Sequence, residues 1–373
     1  MIGTSIAVSF GVIAIYGILF LNLSPQFGSP STEKQKDRYA KHENFKDGKF
    51  TNQHASPMDV NYLKMIKELT RKAPNRNPAM DIPVEKIDSM MIERHDSTLT
   101  ELTWFGHSTF LLQMDGKIIL IDPMFNNRPS PHPWFGVNRY SESLPIDIES
   151  LPFIDAVIIS HDHYDHLDYG SILKLKGRVG QYFTPLGLGN HLLKWGVSEE
   201  IIHELNWWDS IQYDGIKLVC TPARHMSGRG LLDRNSTLWC SWVIKGKTES
   251  IYFSGDGGYD THFAEIGEKY GPFDISLMEC GQYDLDWKLL HLMPEETAQA
   301  SVDLKSKLIL PIHWGGFTLA FHDWTDPIER VLKKADELNI SVTTPKIGEP
   351  VILGNTTFPN EEWWKKYNSR SKN

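Results

Sequence analysis

The sequence predicts an α+β fold, a strand-rich domain with interposed helices, preceded by an N-terminal transmembrane segment. Three observations carry this expectation. From about residue 99 onward, short apolar runs recur between turn residues and helical patterns. Histidine or aspartate stands at the end of one such run after another. The chain from Ile2 to Leu23 carries no charge, and a helix needs about 20 apolar residues to cross the ~30 Å hydrocarbon core of a bilayer.

The N-terminal segment, residues 1–24, reads as an uncleaved single-pass anchor. No Lys or Arg precedes it, no small-residue cleavage site follows, and no cysteine is placed for a lipid anchor. Lys34, Lys36, Arg38, Lys41, Lys46 and Lys49 come after it. The positive-inside rule then places the following domain on the cytoplasmic side, with the membrane as a partner. Residues 25–57 are rich in Ser, Pro, Lys, Asp and Asn and read as a polar linker or a surface-hugging arm. Residues 58–98 form a helical extension: Leu63, Ile66 and Leu69 recur at helical spacing, and PNRNP at 74–78 breaks the pattern.

The main domain spans 99–358. LTWFGHSTFLLQMDGKIILIDP alternates around Asp115-Gly116, a hairpin signal. Strands are expected at 156–160, 216–223, 238–246, 250–256, 274–280 and 307–313. Helices are expected at 294–306, with Pro294 in a first-turn position, and at 326–339, after a capping Thr325. The tail 359–373 is polar apart from Trp363 and Trp364, which cover the domain surface or meet a membrane interface.

Composition excludes some functions. A formal net charge of −9 speaks against a nucleic-acid binder, which needs a basic face. Cys220, Cys240 and Cys280 are odd in number and widely spaced, with no C-x-x-C pair, so they are neither a disulfide framework nor a thiolate zinc site.

The chemistry concentrates in HDHYDHLD at 161–168, directly after AVIIS. His161, His163, Asp165 and His166 are ligands that a borderline metal such as zinc prefers. One tetrahedral ion cannot use all four from so short a loop and keep an open position, whereas two adjacent ions can share them. Asp162 and Tyr164 fall outside this ligand pattern, and Asp162 is placed to orient a ligating imidazole from behind. Other runs deliver His225 after VCTPAR, Asp256 after IYFSG and His313 after LILPI. His107 in the GHST turn either lines the site or holds the turn by hydrogen bonds. Asp122 in IDP stands behind the ligands, and His291 precedes a helix start within reach of substrate or leaving group. Arg224, Arg229 and Arg234 surround His225. Arg229 is the candidate for a phosphate or carboxylate contact, against an ion pair with Asp233.

In order, HDHYDH, TPARH, SGD and PIHWG resemble the metallo-β-lactamase superfamily over roughly residues 95–355. WFGHSTFLL, TPARHMSGR, SGDGGY, ECGQY and PIHWGGF look like the branch of N-acylphosphatidylethanolamine-hydrolysing phospholipase D and its bacterial relatives. The resemblance implies a four-layer αβ/βα sandwich and two zinc ions per chain. One ion would take His161, His163 and His225, the other Asp165, His166 and His313, and Asp256 would bridge both. It further implies cleavage of N-acylphosphatidylethanolamine to phosphatidic acid and an N-acylethanolamine by a hydroxide shared between the ions; Asp165, Asp256, His291 and His107 are the candidate catalytic residues. The runner-up is a lactonase or sugar-phosphate hydrolase on the same ligands. A di-iron redox protein is a third reading, for which no flavin-binding partner domain follows the last strand.

Overall fold

The structure, a computed structural model, describes residues 15–71, 73 and 75–368. Residues 15–23 form helix α1. Helix α2 (Glu33–Tyr39) opens on a capping box, in which Thr32 Oγ1 accepts from Gln35 N and Gln35 Oε1 accepts from Thr32 N. A hairpin follows, β1 (Phe45–Lys46) and β2 (Lys49–Phe50), turned by Asp47-Gly48. Tyr39, Phe45 and Phe50 pack ring against ring and join the main core. Three aromatics thus seat an otherwise polar stretch on the domain. Helices α3 (Tyr62–Thr70) and α4 (Ser89–Glu93) complete the N-terminal region.

The expected membrane-spanning segment is corrected here. Residues 1–14 lie outside the described residues. Among the described residues no helix is long and apolar enough to cross a membrane. Helix α1 ends at Leu23, and its described length is about 14 Å at 1.5 Å per residue. Two of its side chains find partners outside the helix, while Ile15, Ile18, Leu19, Leu21 and Leu23 stay exposed. Tyr16 Oη lies 2.9 Å from His132 Nε2, and the Phe20 ring packs on His132 and Phe27. Hydropathy counted apolar composition and could not register these partners. The single-pass localisation, the membrane partner and the orientation drawn from that segment fall with it.

Two seven-stranded sheets follow. The first contains β3 (Glu101–Trp104), β4 (Phe110–Met114), β5 (Lys117–Ile121), β6 (Ile154–Ile158), β7 (Val179–Pro185) and β8 (Ile202–Leu205). The second contains β9 (Ser210–Tyr213), β10 (Ile216–Thr221), β11 (Ser241–Lys245), β12 (Ser250–Phe253), β13 (Ile275–Glu279), β14 (Leu308–Ile312) and β15 (Ser341–Val342). Strand β16 (Pro350–Ile352) returns to pair antiparallel with β3 on the first sheet. The β4–β5 turn has φ 51° at Asp115 and 75° at Gly116 and pairs Met114 with Lys117. Positive φ at both central residues is what a two-residue type I′ hairpin demands.

Alternation along the strands sets the layers. Phe110, Leu112, Ile119 and Ile121 face Ile216, Leu218, Trp242 and Ile251 of the other sheet in one core. Leu111, Leu120 and Val157 point outward against Ile172 of α5 (Tyr169–Leu175) and Leu192 of α6 (Gly189–Lys194). Val219, Val243 and Ile309 point outward on the far side. There they meet Phe263 of α7 (His262–Tyr270), Ala298 of α8 (Pro294–Asp303) and Ala335 of α9 (Asp326–Glu337). Helix, sheet, sheet and helix layers result. Trp363 and Trp364 are buried in the central core and pack on Trp314, the residue after His313.

Candidate metal centre

Strand ends bring the polar residues together. β12, β13 and β14 run parallel, so their C-terminal ends lie side by side. They deliver Asp256 just beyond β12, Glu279 as the last residue of β13, and His313 directly after β14. β6 of the facing sheet leads into the HDHYDH loop, which ends at Asp168, where Oδ2 accepts from Ser171 N and caps α5. His107 sits in the β3–β4 turn, and its carbonyl accepts from His313 N at 3.0 Å. His107, Asp122 and His313 have φ of 56°, 41° and 64°. Positive φ is uncommon outside glycine, and such strain gathers at functional sites.

Two groups of donors emerge. In the first, His163 Nδ1 lies 3.0 Å from His161 Nε2 and 3.2 Å from His225 Nε2. In the second, His313 Nε2 lies 3.2 Å from Asp165 Oδ2, and His166 Nε2 lies 3.6 Å from the same oxygen. Asp256 Oδ2 belongs to both: it is 3.1 Å from His166 Nε2 and His313 Nε2, 3.7 Å from His161 Nε2 and 3.9 Å from His225 Nε2. Four ligands at 2.0–2.2 Å around a tetrahedral zinc stand roughly 3.3–3.6 Å apart, and the donor spacings here, from 3.0 Å to 3.9 Å, bracket that range. The residues sequence analysis named as ligands therefore form clusters able to hold metal ions, in the arrangement of a dinuclear site.

Partners behind the ligands fix their rings. His161 Nδ1 meets Ser160 Oγ at 2.9 Å, and His225 Nδ1 donates to Leu290 O at 2.8 Å. His166 Nδ1 meets Asp122 Oδ2 at 2.6 Å, and Asp122 is itself held by the Ser160 backbone N–H. His313 Nδ1 lies 3.3 Å from Glu279 Oε1. His107 Nε2 meets Asp165 Oδ2 at 2.8 Å.

The carboxylates draw positive charge to one half of the cluster. Burial opposes charge throughout the cluster. Against it, Asp256 and Asp165 raise the His166 imidazole to about 10, and Asp256 and Asp165 likewise hold His313 well above its ordinary value. Burial, then His166 and His163, push His161 well below, and burial with His163 and His291 does the same to His225. Those two imidazoles are neutral and free to offer a lone pair. Despite burial, His166 and His313 hold Asp256 ionised, well below the usual carboxylate range. Asp256 Oδ1 is buried with no hydrogen-bond partner among the described residues, and His166 Nε2 has only its 3.1 Å ion-pair contact with Asp256 Oδ2, without hydrogen-bond geometry. Buried polar atoms are normally satisfied, and metal ions here would satisfy both.

The other expected residues have distinct places. His291 lines the pocket above the cluster. Its Nδ1 contacts Glu279 Oε1, and its ring stacks on His313 with an interplanar angle of 7°. Glu279, fully buried, also accepts from the Gly257 N–H beside Asp256. Sequence reasoning passed over it, since a carboxylate closing an apolar strand carries no local signature of its partners. Arg229 lies apart from this pocket. Its guanidinium donates to the carbonyls of Gln26, Asp162 and Leu167 and stacks on Tyr164 and Trp195. Asp162 accepts from Gly228 N, Thr237 Oγ1 and His191 Nε2 rather than from a cluster imidazole. It braces the loop from behind.

Residues 117–314 match the beta-lactamase superfamily domain. The chain belongs to the metallo-β-lactamase superfamily. Superfamily relatives extend over most of its length. An uncharacterized protein of Mycobacterium bovis is 41% identical over 332 residues, covering 86% of this chain and 87% of the relative. N-acyl-phosphatidylethanolamine-hydrolyzing phospholipase D 1 of Caenorhabditis elegans is 31% identical over 321 residues, covering 80% and 89%. Among solved structures, a possible metal-dependent hydrolase of Veillonella parvula superimposes with a TM-score of 0.54 at 18% identity, covering 68% of this chain and 99% of that one. This last likeness shows the superfamily fold alone. Together with the clustered donors, the family places the chain among metal-dependent hydrolases.

Proposed function

We propose that this hydrolase is a two-zinc phosphodiesterase of the phospholipase D type, cleaving N-acylphosphatidylethanolamine to phosphatidic acid and an N-acylethanolamine. The carrying observation is the pocket of about 410 Å³ over the cluster. Its floor is His163, Asp165, Asp256 and His313, and its walls include Met58, Val60, Met65, Met226, Trp287 and Leu290. A charged ester joined to aliphatic chains has the polarity this cavity asks for. The names of the C. elegans relative and of a yeast relative, 33% identical over 239 residues, point to the same substrate. No Lys or Arg lines this pocket among the described residues, so the phosphate charge falls to the ions and the imidazoles around them.

His161, His163 and His225 would hold one zinc, and Asp165, His166 and His313 the other, with Asp256 shared. Bound there, the pair supplies Lewis acidity and lowers the pKa of water towards about 7, making the nucleophile available at neutral pH. In the reaction a water oxygen bonds to phosphorus. The bond from phosphorus to the N-acylethanolamine oxygen breaks, its electrons stay on that oxygen, and the oxygen takes up a proton. Glu279 engages Nδ1 of His291 and leaves Nε2 to serve the departing oxygen. His107 holds Asp165 in place through Nε2.

The test is a panel of N-acylated phospholipid, a lactone and a simple phosphodiester, assayed with wild type and Asp256→Asn. The lipid is cleaved by wild type, the activity disappears in Asp256→Asn, and chelation abolishes what zinc restores. A wild type that opens the lactone and leaves the lipid intact removes the phospholipase reading while the metal hydrolase stands.

A further inference from the structure

Asn52 lies outside residues 117–314, which match the superfamily domain, in a segment whose composition reads as linker or arm, and yet it grips a residue of the metal cluster. Its Oδ1 accepts from the His225 backbone N–H at 3.0 Å, and its Nδ2 donates to the His225 carbonyl at 2.8 Å. One side-chain amide thus satisfies both backbone groups of His225, as a neighbouring strand would. The grip is returned by the preceding residue. Arg224 donates through Nε to Ser56 Oγ at 2.9 Å and through a terminal nitrogen to the Ala55 carbonyl at 2.8 Å. His54 pairs with Asp260, on the loop that follows Asp256. Two residues before Asn52, Phe50 is fully buried against Tyr39 and Phe45. The clamp is therefore anchored at one end by core packing and at the other by the Arg224 hydrogen bonds.

We infer that Asn52 is a positioning residue for the metal centre, and that the arm through residue 56 is a working part of the site. His225 follows β10 only after Pro222, Ala223 and Arg224, outside the strand ladder. Its backbone hydrogen bonds must come from elsewhere, and Asn52 provides them. With the backbone held and Nδ1 donating to Leu290 O, the ring has one orientation left, with Nε2 beside His163 Nδ1. Removing the amide frees the backbone and spreads the ring over several orientations. Partners of metal ligands are worth about 10–100-fold in metal affinity.

The inference rests on His225 being a ligand, so the experiment separates the two. The full chain is stripped of metal and titrated with zinc against a chromophoric chelator, for wild type, Asn52→Ala, His225→Ala and Asn44→Ala. Asn44 lies in the same arm and bonds Asn206 instead. Expected are loss of one zinc in His225→Ala, a 10–100-fold weaker zinc in Asn52→Ala and wild-type affinity in Asn44→Ala. In Asn52→Ala, excess zinc restores kcat with KM unchanged. Trp239 Nε1, the other group bonded to Asn52, keeps the Ala223 carbonyl, which limits the damage to the core. Asn52→Leu, which keeps the volume and removes both bonds, reads the same quantity should the alanine variant fail to fold. Wild-type zinc affinity in a folded Asn52 variant, with His225→Ala impaired, overturns the inference. Wild-type affinity in His225→Ala overturns the ligand reading beneath it.

Discussion

The two halves of the metal cluster match in donor count and differ in what stands behind the donors. His161 and His225 are backed by neutral groups, the Ser160 hydroxyl and the Leu290 carbonyl. His166 and His313 are backed by carboxylates, Asp122 and Glu279, and Asp165 is braced by His107. A carboxylate on the far nitrogen makes an imidazole a stronger base and a stronger ligand. On the two-ion reading, the Asp165–His166–His313 half holds its ion the more tightly, and the His161–His163–His225 half releases first. The shared Asp256 couples them, so loss of one ion is felt by the other.

Removing a ligand from each half tests this most severely. His161→Ala and His166→Ala both lose activity by more than the ~100-fold that disturbing a ligand's partner costs. Metal content after dialysis distinguishes them: His161→Ala retains the tight ion, and His166→Ala retains less. Equal content in the two variants breaks the comparison. A smaller change sharpens it. Glu279→Gln keeps the shape and removes the charge behind His313, so the tight ion weakens by about 10–100-fold and the gap between the halves narrows. Chelator competition reads that gap, and an unchanged tight phase removes the carboxylate from the explanation. Ser160→Ala deletes the hydroxyl that meets His161 Nδ1 and also donates to Asp122 Oδ2; the bond to His161 is worth about 1 kcal/mol, so the loose ion weakens about fivefold. Asp122 loses that one donor but keeps the Ser160 backbone N–H and His166 Nδ1, so the tight ion moves less, and a larger shift in the tight phase argues against the assignment.

The same division explains what the sequence made legible. The HDHYDH loop announces itself because four donors fall within six positions, and His225, Asp256 and His313 each follow an apolar run. The layers follow from alternation, as in Phe110, Leu111 and Leu112, whose side chains go in, out and in. Residues that act through long-range pairing leave no such trace. Glu279 looks like any strand-end acid, and Asn52 like any polar residue in a Ser- and Lys-rich stretch. Arg229 beside His225 reads as an anion contact, and only the fold shows its guanidinium committed to three carbonyls. The uncharged N-terminus misled for a related reason. Hydropathy sums residues without their partners, and the ring contacts of Phe20 with His132 and Phe27 are invisible to it.

His262 supplies the baseline for the cluster, because it shows what burial does to an imidazole with little to oppose it. His262 and His166 are both buried. Burial, only partly offset by Asp260, pushes His262 down to about 3, whereas Asp256, Asp165 and Asp122 overcome burial and lift His166 to about 10. The unfolded chain takes up a proton on His262 near pH 6.5, and the folded protein refuses it down to about 3. Between those values the unfolded state binds the extra proton, so stability falls as pH falls, by up to about 1.4 kcal/mol per unit. The contribution is intact above about 6.5. His262→Gln removes the titrating group and flattens this slope, while the metal ligands titrate alike in both proteins and cancel in the difference. Urea midpoints of metal-free wild type and variant at pH 7.5 and pH 5.0 measure it. Wild type is expected to lose more stability than His262→Gln over that interval. Parallel losses would mean that burial alone does not exclude the proton, and the carboxylates would then explain less of the contrast between His262 and His166.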